Sequence, residues 1–194
     1  MGLFDFFKKN KDNKTERSSD NKKSDNTLPD YIVLPYFGQL DINSLEDYYE
    51  SSTTINGQEI SIDLNFDNSS ADKLKMATLK NVLENIEKFD NQNRIYINND
   101  YNDVDGDTVK AYLENHLEQF DDEELNLLID KTDTSISPEK QLLKKLTLVR
   151  LGLYPDNEEY LTTFDYSIGK DITQYLVVVT TDKDGKLNYI TMES

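Results

Sequence analysis

The chain has 194 residues, enough for one domain of ordinary size and an appendage, and a formal net charge of −17. It has no cysteine, which excludes disulfides, thiolate nucleophiles and cysteine-ligated metals, and fits a reducing cytoplasm. No run approaches the roughly 18 apolar residues of a membrane span, and so acidic a chain is repelled by bare nucleic acid and by anionic lipid.

The chain opens on "MGLFDFFKK", which sets Leu3, Phe4 and Phe7 on one side of a helical turn with Lys8 and Lys9 following. Such a short amphipathic start suits an interfacial anchor or a docking peptide, so residues 1–9 are the only segment fitted for membrane contact. The N-myristoylation pattern fails, because Phe6 stands where Ser or Thr is needed. Residues 10–27 contain no apolar side chain and read as a flexible linker. Residues 1–27 therefore form a tail with seven basic and five acidic residues, a net of +2. The body, residues 28–194, carries 14 basic and 33 acidic residues, a net of −19. A surface this acidic attracts basic partners, with fast and salt-sensitive association.

Within the body, "DYIVLPYFGQLDI" (30–42) is strand-like, with Pro35 marking an edge or a bulge. "LEDYYESSTTINGQEISIDLNF" (45–66) is a hairpin, because Asn56-Gly57 suits a type I′ turn. Ile60, Ile62, Leu64 and Phe66 then face one way, and Glu59, Ser61, Asp63 and Asn65 the other, which describes a sheet packed on one face and wet on the other. The period changes at Leu79, Val82, Leu83, Ile86 and Phe89, whose spacing predicts a helix over about 71–90. Val109, Tyr112, Leu113, His116, Leu117 and Phe120 predict a second helix, and Leu125, Leu128 and Ile129 a short third. A fourth starts at Ser137, a capping residue, with Pro138 at the first helical position. Strand patterns then return: "LTLVRLGLY" (146–154), apolar on both faces like a central strand; "EYLTTFDYSI" (159–168); and a hairpin over 174–192 turning at "DKDG".

"NNDYNDVDGD" (98–107) resembles a calcium loop only superficially. With Gly106 at the sixth position, both the first ligand and the closing glutamate positions fall on tyrosines, Tyr101 and Tyr112. The segment reads instead as a connection between two helices, with Asp107 or a neighbour capping the second. His116 is the only histidine and lies on an apolar stripe, the place of a structural histidine. The seven glycines are isolated, so no phosphate-cradling loop exists, and neither G-x-S-x-G nor H-E-x-x-H occurs. No catalytic residue, metal site or cofactor is expected.

What remains is a binding surface. Asp100, Asp103, Asp105 and Asp107, with Tyr101 as an aromatic anchor, form one candidate partner-binding group; Asp121, Asp122, Glu123 and Glu124 extend it. Tyrosine with carboxylates gives a flat amphipathic anchor and charge complementarity to a basic protein.

"PYFGQLDINSLEDYYE", "GQEISIDLNF", "VKAYLENHLEQF", "LVRLGLYPD" and "FDYSIGKDITQYLVVVTTDKDGKL" together resemble the bacterial domain of unknown function 2004 family. The likeness covers the body and leaves out the tail. It implies the context of immunity proteins, which bind and occlude a cognate toxin in the cytoplasm. The expectation is thus an α+β domain: an antiparallel sheet from the N- and C-terminal strands, with three to four central helices on one face. Its expected function is that of a non-enzymatic immunity protein that blocks a basic toxin domain. The alternative is an adaptor or scaffold docked through residues 1–9.

Overall fold

A computed structural model describes residues 30–194. The amphipathic start and the linker expected at 1–27 lie outside the described residues. Two short strands, β1 (Tyr31–Leu34) and β2 (Gly38–Asp41), form a separate antiparallel hairpin. The chain then enters β3 (Tyr48–Ile55) and β4 (Gln58–Asn65), joined by Asn56-Gly57. Both turn residues have positive φ, 52° and 80°, as a type I′ turn requires.

Five helices follow among the described residues: α1 (Lys73–Glu84), α2 (Ile86–Asn102), α3 (Thr108–Gln119), α4 (Asp122–Leu128) and α5 (Pro138–Leu143). The chain returns as β5 (Thr147–Leu153), β6 (Thr162–Ser167), β7 (Leu176–Thr181) and β8 (Leu187–Glu193). Strands β3 to β8 make a six-stranded sheet in chain order, antiparallel except for the parallel pair β4–β5. That exception follows from topology: the helices lie between β4 and β5, and a long crossover lets the second strand run in the direction of the first. The α+β class stands as expected, although β1–β2 lies outside the main sheet.

The sheet's packed face is the one that the alternation marked. Ile60, Ile62 and Leu64 are fully buried, and across the sheet Leu151, Phe164 and Val179 join them in the core. Helices α2 and α3 pack toward β7 and β8 on this side. Expectation and structure part at Asn85. The periodicity predicts one helix over 71–90, but α1 stops at Glu84 and α2 begins at Ile86. Asn85 turns its amide onto the Asn81 carbonyl at 2.8 Å, a local bond that competes with the helical ladder. Helix α2 then runs to Asn102, so Asn98–Asn102 are helical rather than part of a loop. Five asparagines in α2 make it an unfavourable helix by propensity; buried Ile86, Phe89 and Ile97 hold it by packing.

Candidate functional site: the second face of the sheet

On the other face of the sheet the groove is lined by strands and their connections, with no residue from a described helix. There the alternation places Asp63 on β4, Arg150 and Gly152 on β5, Thr163 and Asp165 on β6, and Thr180 on β7. The register sets Asp63 opposite Gly152 and Arg150 opposite Asp165. A bulge between Leu148 and Arg150 shifts β5 at this point.

Arg150 ties the three central strands together. Its Nε donates to Asp63 Oδ1 at 2.7 Å and its Nη2 to Asp63 Oδ2 at 2.9 Å, a two-pronged bond. Nη1 donates to Asp165 Oδ2 at 2.9 Å, and Nη2 also to the Tyr154 hydroxyl at 2.9 Å. Asn65 donates to Asp63 Oδ2 at 2.6 Å. Burial works against the guanidinium's charge, but its bonds to Asp63, Tyr154 and Asp165 outweigh that and hold its pKa above the ordinary value. Gly152 makes room for the group: a Cβ there would stand 2.8 Å from Arg150 Nη2 and 2.9 Å from the Tyr154 ring. A glycine inside a strand serves such a close approach.

Asp165 is the odd member. Its side chain is 7% exposed, and its Oδ1 has no hydrogen-bond partner among the described residues. Burial pushes its carboxyl pKa up, Arg150 only partly opposes this, and the Asp63 charge adds to it. The two aspartates outnumber the one arginine, so the cluster carries excess negative charge.

Above this floor lies a groove of about 330 Å³ that Arg150, Asp165, Thr180 and Glu193 also line. Tyrosines form its wall: Tyr154 meets Tyr160 edge-on with ring centres 5.6 Å apart, and Tyr160 meets Tyr189 in the same way at 6.3 Å. Burial, then the fields of the neighbouring tyrosines and of Glu159 and Glu193, raise the Tyr160 pKa. The arrangement can accept a cationic donor. The Asp165 carboxylate lies at the floor with its Oδ1 shut off from solvent, π faces beside it and negative charge around it.

The acids singled out in the sequence lie elsewhere, and most have local work. Asp100, on α2, accepts a hydrogen bond from the Val109 amide at 2.8 Å and so caps α3, while Asp107 stands at the cap position without a side-chain bond. Asp103 accepts from the Asp105 amide at 3.2 Å. Asp121 and Glu124 form a reciprocal capping box on α4, with Glu123 and Asp122 in its first turn. Asp122 pairs with Lys131 at 2.6 Å. Tyr101 is half-buried and packs on the core. The structure therefore splits these residues between the α2–α3 connection and the start of α4.

His116 is structural. Its Nδ1 lies 2.6 Å from the Tyr112 carbonyl, which can only accept, so Nδ1 carries the proton and Nε2 accepts from Thr173 Oγ1 at 2.8 Å. Burial lowers its pKa.

Sequence reasoning found the polar face but not its contents, and expected it wet, whereas Asp63, Asp165 and Thr180 are buried there beneath their neighbours' side chains. Arg150 and Gly152 sat inside a run read as apolar on both faces. The available signal was a lone arginine two positions from a lone glycine within one strand.

These features define an α+β domain whose sheet carries a charged, tyrosine-walled groove on the side away from its helices. Residues 35–192 match the model of a family described as "uncharacterized protein conserved in bacteria (DUF2262)", and the chain belongs to that family. The resemblance drawn from the sequence was thus right in pointing to a bacterial domain of unknown function and wrong in which one. No curated protein and no solved structure matches the chain. Among the described residues, no helix is long and apolar enough to cross a membrane and no cluster of acids and histidine could hold a metal ion.

Proposed function

We propose that this domain binds a basic segment of a partner protein on the second face of its sheet, and that it acts as an immunity protein blocking a toxin domain. The observation that carries this reading is Asp165, almost wholly buried at the groove floor with one carboxylate oxygen unpartnered among the described residues. Leaving such an acceptor unsatisfied costs about 1–3 kcal/mol; Oδ1 is closed to solvent, so a lysine or arginine donor from a partner recovers this only by parting the side chains over it. Tyr154, Tyr160 and Tyr189 offer the ring faces and edges on which such a side chain packs, and tyrosine is over-represented at binding hot spots. The net charge of −17 supports rapid capture of a cationic domain, and steric occlusion needs no catalytic group.

The test is affinity capture on the immobilised full chain, repeated with two variants. The expected result is a basic protein bound one to one, weakened by salt, lost with Tyr160→Ala/Tyr189→Ala and retained with Asp103→Asn/Asp105→Asn. Toxicity of that protein, relieved on co-expression, would establish the inhibitory role. Binding that ignores the tyrosines but fails with the Asp103/Asp105 pair would move the site to the α2–α3 connection. A small-molecule turnover abolished by Asp165→Asn would overturn the binding-protein reading altogether.

A further inference from the structure

A second concavity lies on the helical side of the sheet and is independent of the groove above. It has a volume of about 470 Å³, within the range of roughly 300–1,000 Å³ usual for small-molecule sites. Ile97 from α2, Leu143 from α5 and Leu146 just before β5 give it an apolar floor, and Tyr101 stands at its side. Its charged lining consists of Arg94, Lys140 and Lys144, and none of its described lining residues is acidic. In a chain with 38 acidic residues against 21 basic, this is a local reversal of sign.

The cations are placed rather than scattered. Arg94 Nε donates to the buried Asp90 carboxylate at 3.1 Å and Nη1 to the Leu146 carbonyl at 3.1 Å, with the guanidinium 5.9 Å from the Tyr166 ring centre. Those two bonds use two of the five N–H donors that a guanidinium carries, and the group remains 43% exposed. Lys140 and Lys144 are four residues apart, one in α5 and one at its C-cap, so they share a side of the helix. Neither makes an ion pair among the described residues; Lys144 contributes a field at Asp133 without contact. Two like charges at this spacing repel, a cost that an anion between them would reverse.

We propose that this pocket binds a small organic anion: an apolar, ring-sized body on Ile97, Leu143, Leu146 and Tyr101, with a phosphate or carboxylate held by Arg94, Lys140 and Lys144. The guanidinium, held by Asp90 and the Leu146 carbonyl, orients the headgroup, and the lysines supply charge from the rim.

The experiment is thermal unfolding of the full chain with phenyl phosphate, benzoate, inorganic phosphate and phenol, alongside amide NMR shifts. The expected result is a saturable rise in melting temperature with phenyl phosphate or benzoate, a much smaller one with inorganic phosphate, and none with phenol. Which of the two organic anions binds tighter identifies the headgroup. Shifts should centre on Tyr101 and Leu146. Lys140→Gln/Lys144→Gln, both on exposed side chains, should weaken binding about tenfold or more, whereas Lys145→Gln should not. No response to either organic anion, an equal response to phenol, or binding that survives the double lysine variant would overturn the proposal.

Discussion

Gly152→Ala tests whether the Arg150 cluster depends on the bare backbone beneath it. The added Cβ would stand 2.8 Å from Arg150 Nη2, 2.9 Å from Tyr154 Cε2 and 3.1 Å from the Tyr154 hydroxyl. Comfortable contact between such atoms is about 3.5–4.0 Å, so the guanidinium must retreat by roughly 1 Å. Nη2 is the atom that holds both Asp63 Oδ2 and Tyr154, each at 2.9 Å, and a retreat of that size breaks both bonds. Removing one partner of a buried ion pair costs about 3–5 kcal/mol; water reaching the exposed part of Arg150 reduces this to about 2–3 kcal/mol. Replacing glycine by alanine returns about 0.4–1 kcal/mol through the unfolded chain. The net expectation is a loss of about 1–2.5 kcal/mol, which lowers the melting temperature by roughly 3–8 °C in a domain of this size.

Urea unfolding, with an m-value on the order of 2 kcal/mol per molar, should show the midpoint falling by about 0.5–1.3 M. The cause is isolated by repeating the substitution in an Arg150→Ala background, where most of the penalty should vanish because the colliding guanidinium is gone and Tyr154, no longer bonded to it, can swing clear. Equal stability of Gly152→Ala and wild type would refute the reasoning. So would an equal penalty in both backgrounds.

Three further outcomes are expected. His116 is neutral in the fold and its pKa is lowered from 6.5 by burial, so the stability it contributes is present above that value and declines as pH falls through it toward the folded pKa. Urea midpoints on either side of pH 6.5 should show the decline, and His116→Gln should flatten it. Asp156 accepts from Lys75 and, at 2.9 Å, from the Asp67 amide; these bonds outweigh burial and hold its pKa below 3.8. Its contribution is therefore complete above that pH and lost as acid carries the solution through the lower folded value, so Asp156→Asn should have the shallower acid-unfolding curve. Asp100→Ala should cost about 0.5–2 kcal/mol by uncapping α3, while Asp105→Ala, with no cap to lose, should stay within about 0.5 kcal/mol by chemical denaturation.

How far the sequence could be read depends on which interactions are local. The β3–β4 hairpin was legible because Asn56-Gly57 fixes the turn and the alternation fixes the buried face. Ser137 and Pro138 likewise announced α5, and Ser137 does accept from the Lys140 amide at 3.4 Å. Helix α2 was not legible past Phe89, because its asparagines argue against a helix and only tertiary contacts of Ile97 and Tyr101 decide the matter. The candidate site was hidden for the same reason. Asp63 and Arg150 are 87 residues apart, and no period or motif joins them. The acids that the sequence displayed as a group are adjacent in the chain. Adjacency is what caps and Asx turns use, and Asp103 and Asp121 are spent there, while Asp100 reaches the Val109 amide to cap α3.

The Asp63–Arg150–Asp165 cluster is a poor way to stabilise a sheet, and that bears on what it is for. Desolvating such ions can cost more than their attraction returns, and apolar replacements of similar volume are often neutral or stabilising. Here the arrangement is also incomplete: among the described residues Asp165 Oδ1 has no partner, and burial raises that carboxyl's pKa, so the fold disfavours its charged form. Stability alone would favour Asn at position 165, which keeps the shape and removes the charge. Asp165→Asn should therefore hold or gain stability near neutral pH, with the gain growing as pH rises through the raised pKa of the native carboxyl. The same change should weaken capture of a basic partner. Opposite signs for stability and binding are what a recognition carboxylate produces. A loss of stability in Asp165→Asn would instead make the cluster a structural clamp.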